Sequence, residues 1–500
     1  MSVGRKLVSN SAYLFIDWFI GTLMGLIYWV MAGKLLLPKE YGIVSTAFNL
    51  AMILSGISAL GLGQTMWKLI AEYLAKNRVG KVISLIRFSF KIIIISNLII
   101  LTVFLVFTNF ISSVTNIPPT AVFYTGFMIL AATLAQQTGL IMYGFQMMKK
   151  FLLTDLWGQL IKLVVSAAFL FLGFNYLGPM LGLISCFLAM AVLRFLNIRL
   201  KGKSENIDKR GIMMDYVLPS FVAFIAMTLF SSGQYVLLTA LQNTAATGIY
   251  SVAAIFMMPV LIIPNTLSGA LFPLASQLSA KRSTKVQLPN LIKLVFRYSV
   301  FVAIPIMLFL MVFSKFAILT FFRAEYLPAS NLFPAIAIAS LIFGLGSLLL
   351  NNLYAIGKIK VNRNIYIAVT IIFFTIAVPL IKMFSSFGLA VSYGISATLL
   401  FLLSYFHIKK HLKLKLPWKD TLKSVISGLI AVAVIYTLAR FAEGLIVDAL
   451  LFAFGGLIYL LLLIPFRFYK PEDIKILKFV SDRFPRFRKQ INLLSKLISK

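Results

Sequence analysis

Apolar side chains gather into fourteen long stretches, separated by short segments rich in Lys, Arg, Gly, Pro and Asn. The stretches fall near residues 10–32, 41–62, 88–112, 121–144, 154–174, 178–198, 216–240, 248–278, 295–314, 331–356, 365–384, 388–408, 421–440 and 447–466. A helix of roughly 20 apolar residues is long enough to cross a bilayer's hydrocarbon core. Lipid offers no partner to backbone N–H and C=O groups, so each stretch must satisfy its own as a helix. The pattern therefore predicts an all-α, polytopic membrane protein of about 14 transmembrane helices. Pro259, Pro264 and Pro273 punctuate the eighth stretch, which is expected to be kinked or partly unwound.

Composition agrees. The chain is 60% hydrophobic and 12% charged, whereas a soluble domain carries about 25% charged residues. The net charge of +33 would suggest nucleic acid on a soluble protein, but here the basic residues alternate with the apolar stretches. With the N-terminus inside, 40 of the 47 Lys and Arg fall on the inner side, six on the outer side (Lys34, Lys39, Lys315, Arg323, Lys382, Arg440), and Lys162 lies within a span. This bias places both termini in the cytoplasm of a cell-membrane protein. Arg5 and Lys6 precede a stretch that contains Asp17 and no small-residue cleavage site follows, so the stretch reads as a first span, not a removable signal. The single cysteine, Cys186, permits no intrachain disulfide.

The chain repeats itself. Gly42-Ile43-Val44-Ser45-Thr46-Ala47 matches Gly248-Ile249-Tyr250-Ser251-Val252-Ala253 at an offset of 206. The same offset aligns Leu85-Ile86-Arg87-Phe88-Ser89-Phe90 with Leu291-Ile292-Lys293-Leu294-Val295-Phe296. Six helices per repeat return the chain to its starting side. The halves are then parallel, related by an axis along the membrane normal. The expected organisation is an N-terminal lobe over 1–205, a C-terminal lobe over 206–420, a further helix pair over 421–466 and a basic cytoplasmic tail over 467–500.

Several chemistries lack their residues. The longest outer connection, near 315–330, is too short for a soluble catalytic domain. Gly202-Lys203-Ser204 resembles the end of a phosphate-binding loop, but Asn197 stands where the earlier glycine is required. His407 and His411 have a metal-ligand spacing, yet sit among Lys409, Lys410 and Lys413 and read as interfacial cations. No cofactor, no metal site and no catalytic residues are expected, and nucleic acid is not an expected partner.

Ionisable residues within spans are costly and are the first functional candidates. Asp17 in the first span is a candidate for a coupling proton or sodium ion. Asp155, Gln159, Lys162 and Ser166 share one stripe of the fifth span; Thr228, Ser231, Tyr235 and Thr239 share one of the seventh; Ser340, Gly344, Ser347, Asn351 and Tyr354 share one of the tenth. Gln159, Ser231, Tyr235 and Asn351 are thus expected to line a wet cavity between the lobes. The plainer reading is that such stripes are helix–helix hydrogen bonds. Gly21-x-x-x-Gly25 and Gly178-x-x-x-Gly182 predict close helix packing.

Asn10-Ser11 and the turn Lys34-Leu35-Leu36-Leu37-Pro38-Lys39-Glu40-Tyr41-Gly42 resemble the opening of the polysaccharide-transport family. These are the oligosaccharide flippases of the multidrug/oligosaccharidyl-lipid/polysaccharide exporter superfamily. Lys34 stands where that family usually has Arg. Thr247-Gly248-Ile249-Tyr250-Ser251-Val252-Ala253, Leu271-Phe272-Pro273 and Glu325-Tyr326-Leu327-Pro328-Ala329 are similar to its second-half signatures. The resemblance implies two six-helix lobes around a cavity that opens alternately to each side. It implies a lipid-linked pyrophosphate sugar as cargo, and polysaccharide-assembly enzymes as candidate partners beside membrane lipids. On that reading Lys162 attracts the pyrophosphate, helped by Arg194 at the inner end of the sixth span and Lys34 at the outer mouth. Two plainer readings of Lys162 stand beside it: snorkelling to the interface, or a structural ion pair with Asp17. A flippase for the peptidoglycan lipid precursor and an exporter of small cationic drugs are the alternatives within the superfamily. A membrane-embedded sugar polymerase or glycosyltransferase would need paired carboxylates or a sizeable outer loop. Ile491, Leu494 and Ile498 recur at helical spacing in the tail, as in a helix lying on an anionic leaflet.

Overall fold

The computed structural model describes residues 3–198, 202–279, 284–439, 445–470 and 473. The expectation for Ile491, Leu494 and Ile498, and for most of the tail, lies outside the described residues. The described chain is all helix with no strand: α1 (Val3–Leu35), α2 (Pro38–Ala59), α3 (Leu62–Ala75), α4 (Val79–Val106), α5 (Thr108–Thr115), α6 (Pro119–Gly144), α7 (Met148–Phe171), α8 (Leu177–Asn197), α9 (Lys209–Ile212), α10 (Leu218–Leu241), α11 (Thr244–Phe256), α12 (Met258–Ser279), α13 (Thr284–Val312), α14 (Ser314–Phe321), α15 (Phe333–Ala355), α16 (Ile359–Leu412), α17 (Trp418–Leu438) and α18 (Leu445–Leu462). A π turn, Met213–Val217, leads into α10, and a 3-10 turn, Ala324–Leu332, leads into α15.

Among the described residues eleven helices are long and apolar enough to cross a membrane, or twelve if α11 and the start of α12 count as one broken span. The remaining difference from fourteen has two sources. The 54-residue α16 holds two of the expected spans, interrupted at Ser385 (φ 51°, ψ −131°), a backbone conformation that non-glycine residues rarely adopt. The last apolar helix, Leu450–Leu462, is short. The eighth stretch breaks between α11 and α12, at Met257.

The helices form two compact units, Met1–Ile255 with Phe321–Leu332 and Arg363–Ser396, and Phe256–Thr320 with Phe333–Asn362 and Ala397–Lys500. In the first, α2 packs against α6 and α10, and α6, α7 and α8 pack on one another. The repeat has a physical counterpart here. The Ser45 and Ser251 hydroxyls are 2.7 Å apart, and the two residues are separated by the repeat offset. A Cβ on Gly42 would press on the Thr244 carbonyl and the Gly248 amide, and one on Gly248 on the Pro38 carbonyl and the Gly42 amide. Each position meets its own counterpart, the self-complementary contact that a two-fold relation produces. The two glycines are thus needed for close approach of α2 and α11.

The motifs that carry the family resemblance also meet. Tyr326 donates to the Leu36 carbonyl at 3.1 Å, and the Tyr41 and Tyr326 ring centroids lie 5.8 Å apart. In the second unit α12 packs on α13 and α15, and α17 on α13 and α18.

Candidate functional site

The site is built by glycines that let three helices close up. Gly182 of α8 faces the Lys162 carbonyl and the Ser166 hydroxyl of α7, and Gly178 faces the backbone of Phe169 and Leu170. Gly158 of α7 faces Met190 and the Cys186 carbonyl in return. The expected packing of Gly178 and Gly182 is therefore present. That of Gly21 and Gly25 is not: among the described residues neither has an atom within contact distance of where a side chain would begin. Equal spacing makes a flat face in both helices, but among the described residues only α8 has a neighbour on that face.

This seating brings Arg194, on the last turn of α8, against α6 and α7. Its Nε donates to the Thr154 hydroxyl at 3.3 Å, one terminal nitrogen to the Ala135 carbonyl at 2.7 Å, and the other to the Asp155 carboxylate in an ion pair. The guanidinium carbon lies 4.3 Å from the centroid of the Phe151 ring. Gly139 leaves the space: a Cβ there would meet the guanidinium and Phe151. Around this group opens a cavity of about 370 Å³, walled by Gln136, Gly139, Tyr143, Asp155, Gln159 and Arg194 with apolar residues between them.

The other expected residues divide. Gln159 lines the cavity and accepts a hydrogen bond from the Lys162 ammonium. Lys162 itself is buried beside it, 4.8 Å from the centroid of the Tyr28 ring, and reaches the cavity only through Gln159. It does not snorkel, and it makes no ion pair with Asp17. Asp17 lies within electrostatic reach of Asp155, Arg194 and Tyr143 without pairing directly to any of them. Lys34 lies at the C-terminal end of α1, roughly 25 Å along the helix from the mid-helix Asp17, and donates to the Phe322 carbonyl at 3.3 Å.

Ser231 and Tyr235 are not part of this cavity's wall. Ser231 bonds to the Thr228 carbonyl, and the Tyr235 ring packs on Tyr250. Thr239, on the same stripe, bonds to Thr46 and Thr247 and so serves helix packing. Asn351 belongs to the second unit, where it donates to Ser268 at 3.3 Å. The wall residues not singled out from sequence include Gln136, Gly139, Tyr143 and Phe151. A polar or glycine position repeating near one end of the fourth span is the signal that could have found Gln136, Gly139 and Tyr143; an aromatic at the start of an apolar run gives none for Phe151.

Comparison with solved structures places the fold. The lipid II flippase MurJ in an inward closed conformation superposes with a TM-score of 0.71 at 18% identity, covering 90% of this chain and 97% of that one. An inward-facing multidrug resistance MATE family transporter of the MOP superfamily gives 0.64 at 15% identity, covering 79% and 95%. A MOP superfamily transporter from Pyrococcus furiosus, described as having a binding pocket of reverse polarity, gives 0.54 at 14%, covering 82% and 97%. Likeness at this identity establishes the fold. No curated protein matches the chain in sequence. The family described as polysaccharide biosynthesis protein matches residues 7–279, more than half of the chain.

Proposed function

The chain belongs to the polysaccharide biosynthesis protein family, and we propose that it is a flippase that moves a lipid-linked, pyrophosphate-bearing oligosaccharide across the cell membrane. Two helical lobes rock about a central cavity, and both chain ends lie in the cytoplasm. The observation that carries the reading is the Arg194 cavity. A dianion cannot enter hydrocarbon uncompensated, and a guanidinium held in a partly dry pocket offsets the cost. Arg194 engages Thr154, Ala135 and Asp155 through three of its N–H donors, and a guanidinium has five. An incoming pyrophosphate takes the remaining donors and competes with Asp155 for the third. Lys162 acts behind it by fixing Gln159. Asp17 and Asp155 are the groups able to take up a coupling cation once the anion holds Arg194.

The test is reconstitution in proteoliposomes, with transfer between leaflets followed for three probes: a polyprenyl-pyrophosphate disaccharide, the peptidoglycan lipid precursor, and a cationic dye. Protein-dependent transfer of the disaccharide lipid is expected. Transfer of the precursor or the dye, with none of the disaccharide lipid, would replace this reading with one of its two rivals.

Orientation is read separately by thiol labelling from outside on intact cells. Cys186 is buried and Ser204 and Ser113 are exposed. Ser113→Cys should label and Ser204→Cys should not; the reverse pattern would invert the topology.

A further inference from the structure

Three aromatic rings run in series from the exposed face of α3 to Arg194. The Trp67 ring lies 5.5 Å from that of Tyr143. Tyr143 stacks on Phe151, with centroids 4.7 Å apart and planes 30° from parallel. Phe151 in turn backs the Arg194 guanidinium. Tyr143, Phe151 and Arg194 all wall the cavity. The series passes from buried to open, ending at Trp67, which is 46% exposed.

The position of Trp67 is fixed by the fold. Gly61 (φ 75°) turns the chain out of α2 into α3. Met66, Leu69 and Ile70 bury the inner face of α3. Gly144, at the end of α6, has no room for a side chain beside Ile70 and the Trp67 carbonyl, so α3 sits directly on the α6 terminus. An interfacial Trp that merely anchors a helix turns its ring to lipid headgroups. Trp67 instead packs on a cavity wall residue.

Two of the cavity's three helices, α6 and α8, also line a second, apolar cleft. It has a volume of about 310 Å³ and is walled by Phe123, Tyr124, Phe127, Leu130, Leu181, Ile184 and Leu188. Its nearest α6 residue, Leu130, is five positions from Ala135 of the cation cavity, roughly 7.5 Å along the helix. The cleft and the cation cavity lie on opposite faces of α6, so the cavity's polar wall and the aromatic series stand apart from the apolar cleft.

We propose that the open face of Trp67, backed by Tyr143, forms the sugar-binding shelf of this protein, holding a saccharide of the cargo while Arg194 holds the phosphate. A pyranose ring has an apolar C–H face and a hydroxyl rim. The indole ring supplies a rigid apolar partner for the first, and Gln136 and Gln159 on the cavity wall supply hydrogen bonds for the second. The proposal rests on the flippase reading and adds to it the residues that sense the sugar.

The experiment compares two ligands and two proteins. Binding of a polyprenyl-pyrophosphate disaccharide and of sugar-free polyprenyl pyrophosphate is measured for the wild type and Trp67→Ala in detergent. Trp67→Ala should weaken the disaccharide lipid about fivefold to tenfold and leave the sugar-free lipid unchanged. Trp67→Tyr should recover most of the loss. Should Trp67→Ala not survive purification, Trp67→Leu keeps apolar volume without the flat ring and is expected to show the same selective loss. Equal affinities in variant and wild type, or an equal loss for both lipids, would overturn the shelf and leave the flippase reading intact. A wild type that binds neither lipid would overturn both.

Discussion

Arg194→Ala is expected to abolish transport and to destabilise the protein, and the two effects can be separated. Removing the guanidinium leaves the Asp155 carboxylate without its ion pair and takes one donor each from the Ala135 carbonyl and the Thr154 hydroxyl. Stripping one partner from a buried pair costs about 3–5 kcal/mol, most of it the uncompensated charge. The paired variant Arg194→Met, Asp155→Leu removes both charges and should melt close to the wild type. If the pair were only structural, that variant would also transport. On the proposed mechanism it does not, because no cation meets the pyrophosphate. Asp155→Asn isolates the other half: it frees Arg194 and should bind the anionic lipid at least as tightly as the wild type. Arg194→Lys keeps the charge but loses the planar fork, so partial activity is expected. The measurements are the melting temperature in detergent and the initial rate of lipid transfer. A buried charge-pair truncation of ~2–5 kcal/mol corresponds to a rate or affinity loss of roughly thirtyfold or more. Wild-type transfer by the doubly neutral variant would remove Arg194 from the mechanism.

The sequence carries the spans more clearly than the site. Apolar stretches of twenty residues are a property of composition, and each finds a helix. Gly42 and Gly248, matched at the repeat offset, meet in a close helix contact, and that contact explains why both positions are glycine. The charged site was read less well. Lys162 lies in the middle of an apolar stretch and so drew attention. Arg194 lies at a span end, where a cation is usually interfacial. What draws Arg194 inward is the close approach of α6, α7 and α8 through Gly139, Gly158 and Gly182, and helix spacing is not visible in a single strip of sequence. The stripe Asp155, Gln159, Lys162 predicted one wet face. Within it Asp155 and Gln159 reach the cavity, and Lys162, one turn further, is covered by Tyr28. The helix α3 was hidden inside a segment read only for its Lys and Arg. Leu62, Met66, Leu69 and Ile70 recur there at helical spacing, and that periodicity was the available signal.

Breaking the Arg297–Asp473 pair is expected to give the largest loss of stability in the second unit. Asp473 follows the last apolar helix, in a stretch whose many Lys and Arg residues mark it as a solvated basic tail. Its carboxylate instead pairs with Arg297 of α13, accepts from the Tyr298 hydroxyl, and accepts from the Lys470 amide at 2.7 Å. Both members of the pair are buried. The chain leading to it is fastened as well. Phe468 is buried and stacks on Phe301 at 5.3 Å. The Lys470 ammonium bonds to Asp420 at 2.5 Å, and Lys423 bonds to the Arg467 carbonyl at 2.9 Å. These contacts tie the segment after α18 to α13 and α17. Asp473→Ala leaves Arg297 buried without a counter-charge and should cost about 3–5 kcal/mol. Asp473→Asn keeps an acceptor for Tyr298 and should fall between. Arg297→Leu with Asp473→Leu should recover much of the loss, since no unpaired charge remains. The exposed Glu72–Lys76 pair on α3 is the control: Lys76→Ala should leave the melting temperature unchanged, as surface pairs contribute little. Added salt should narrow no difference at Asp473, because a buried pair is poorly screened. An Asp473→Ala variant that melts with the wild type would show that the segment after α18 adds nothing to the unit it packs against.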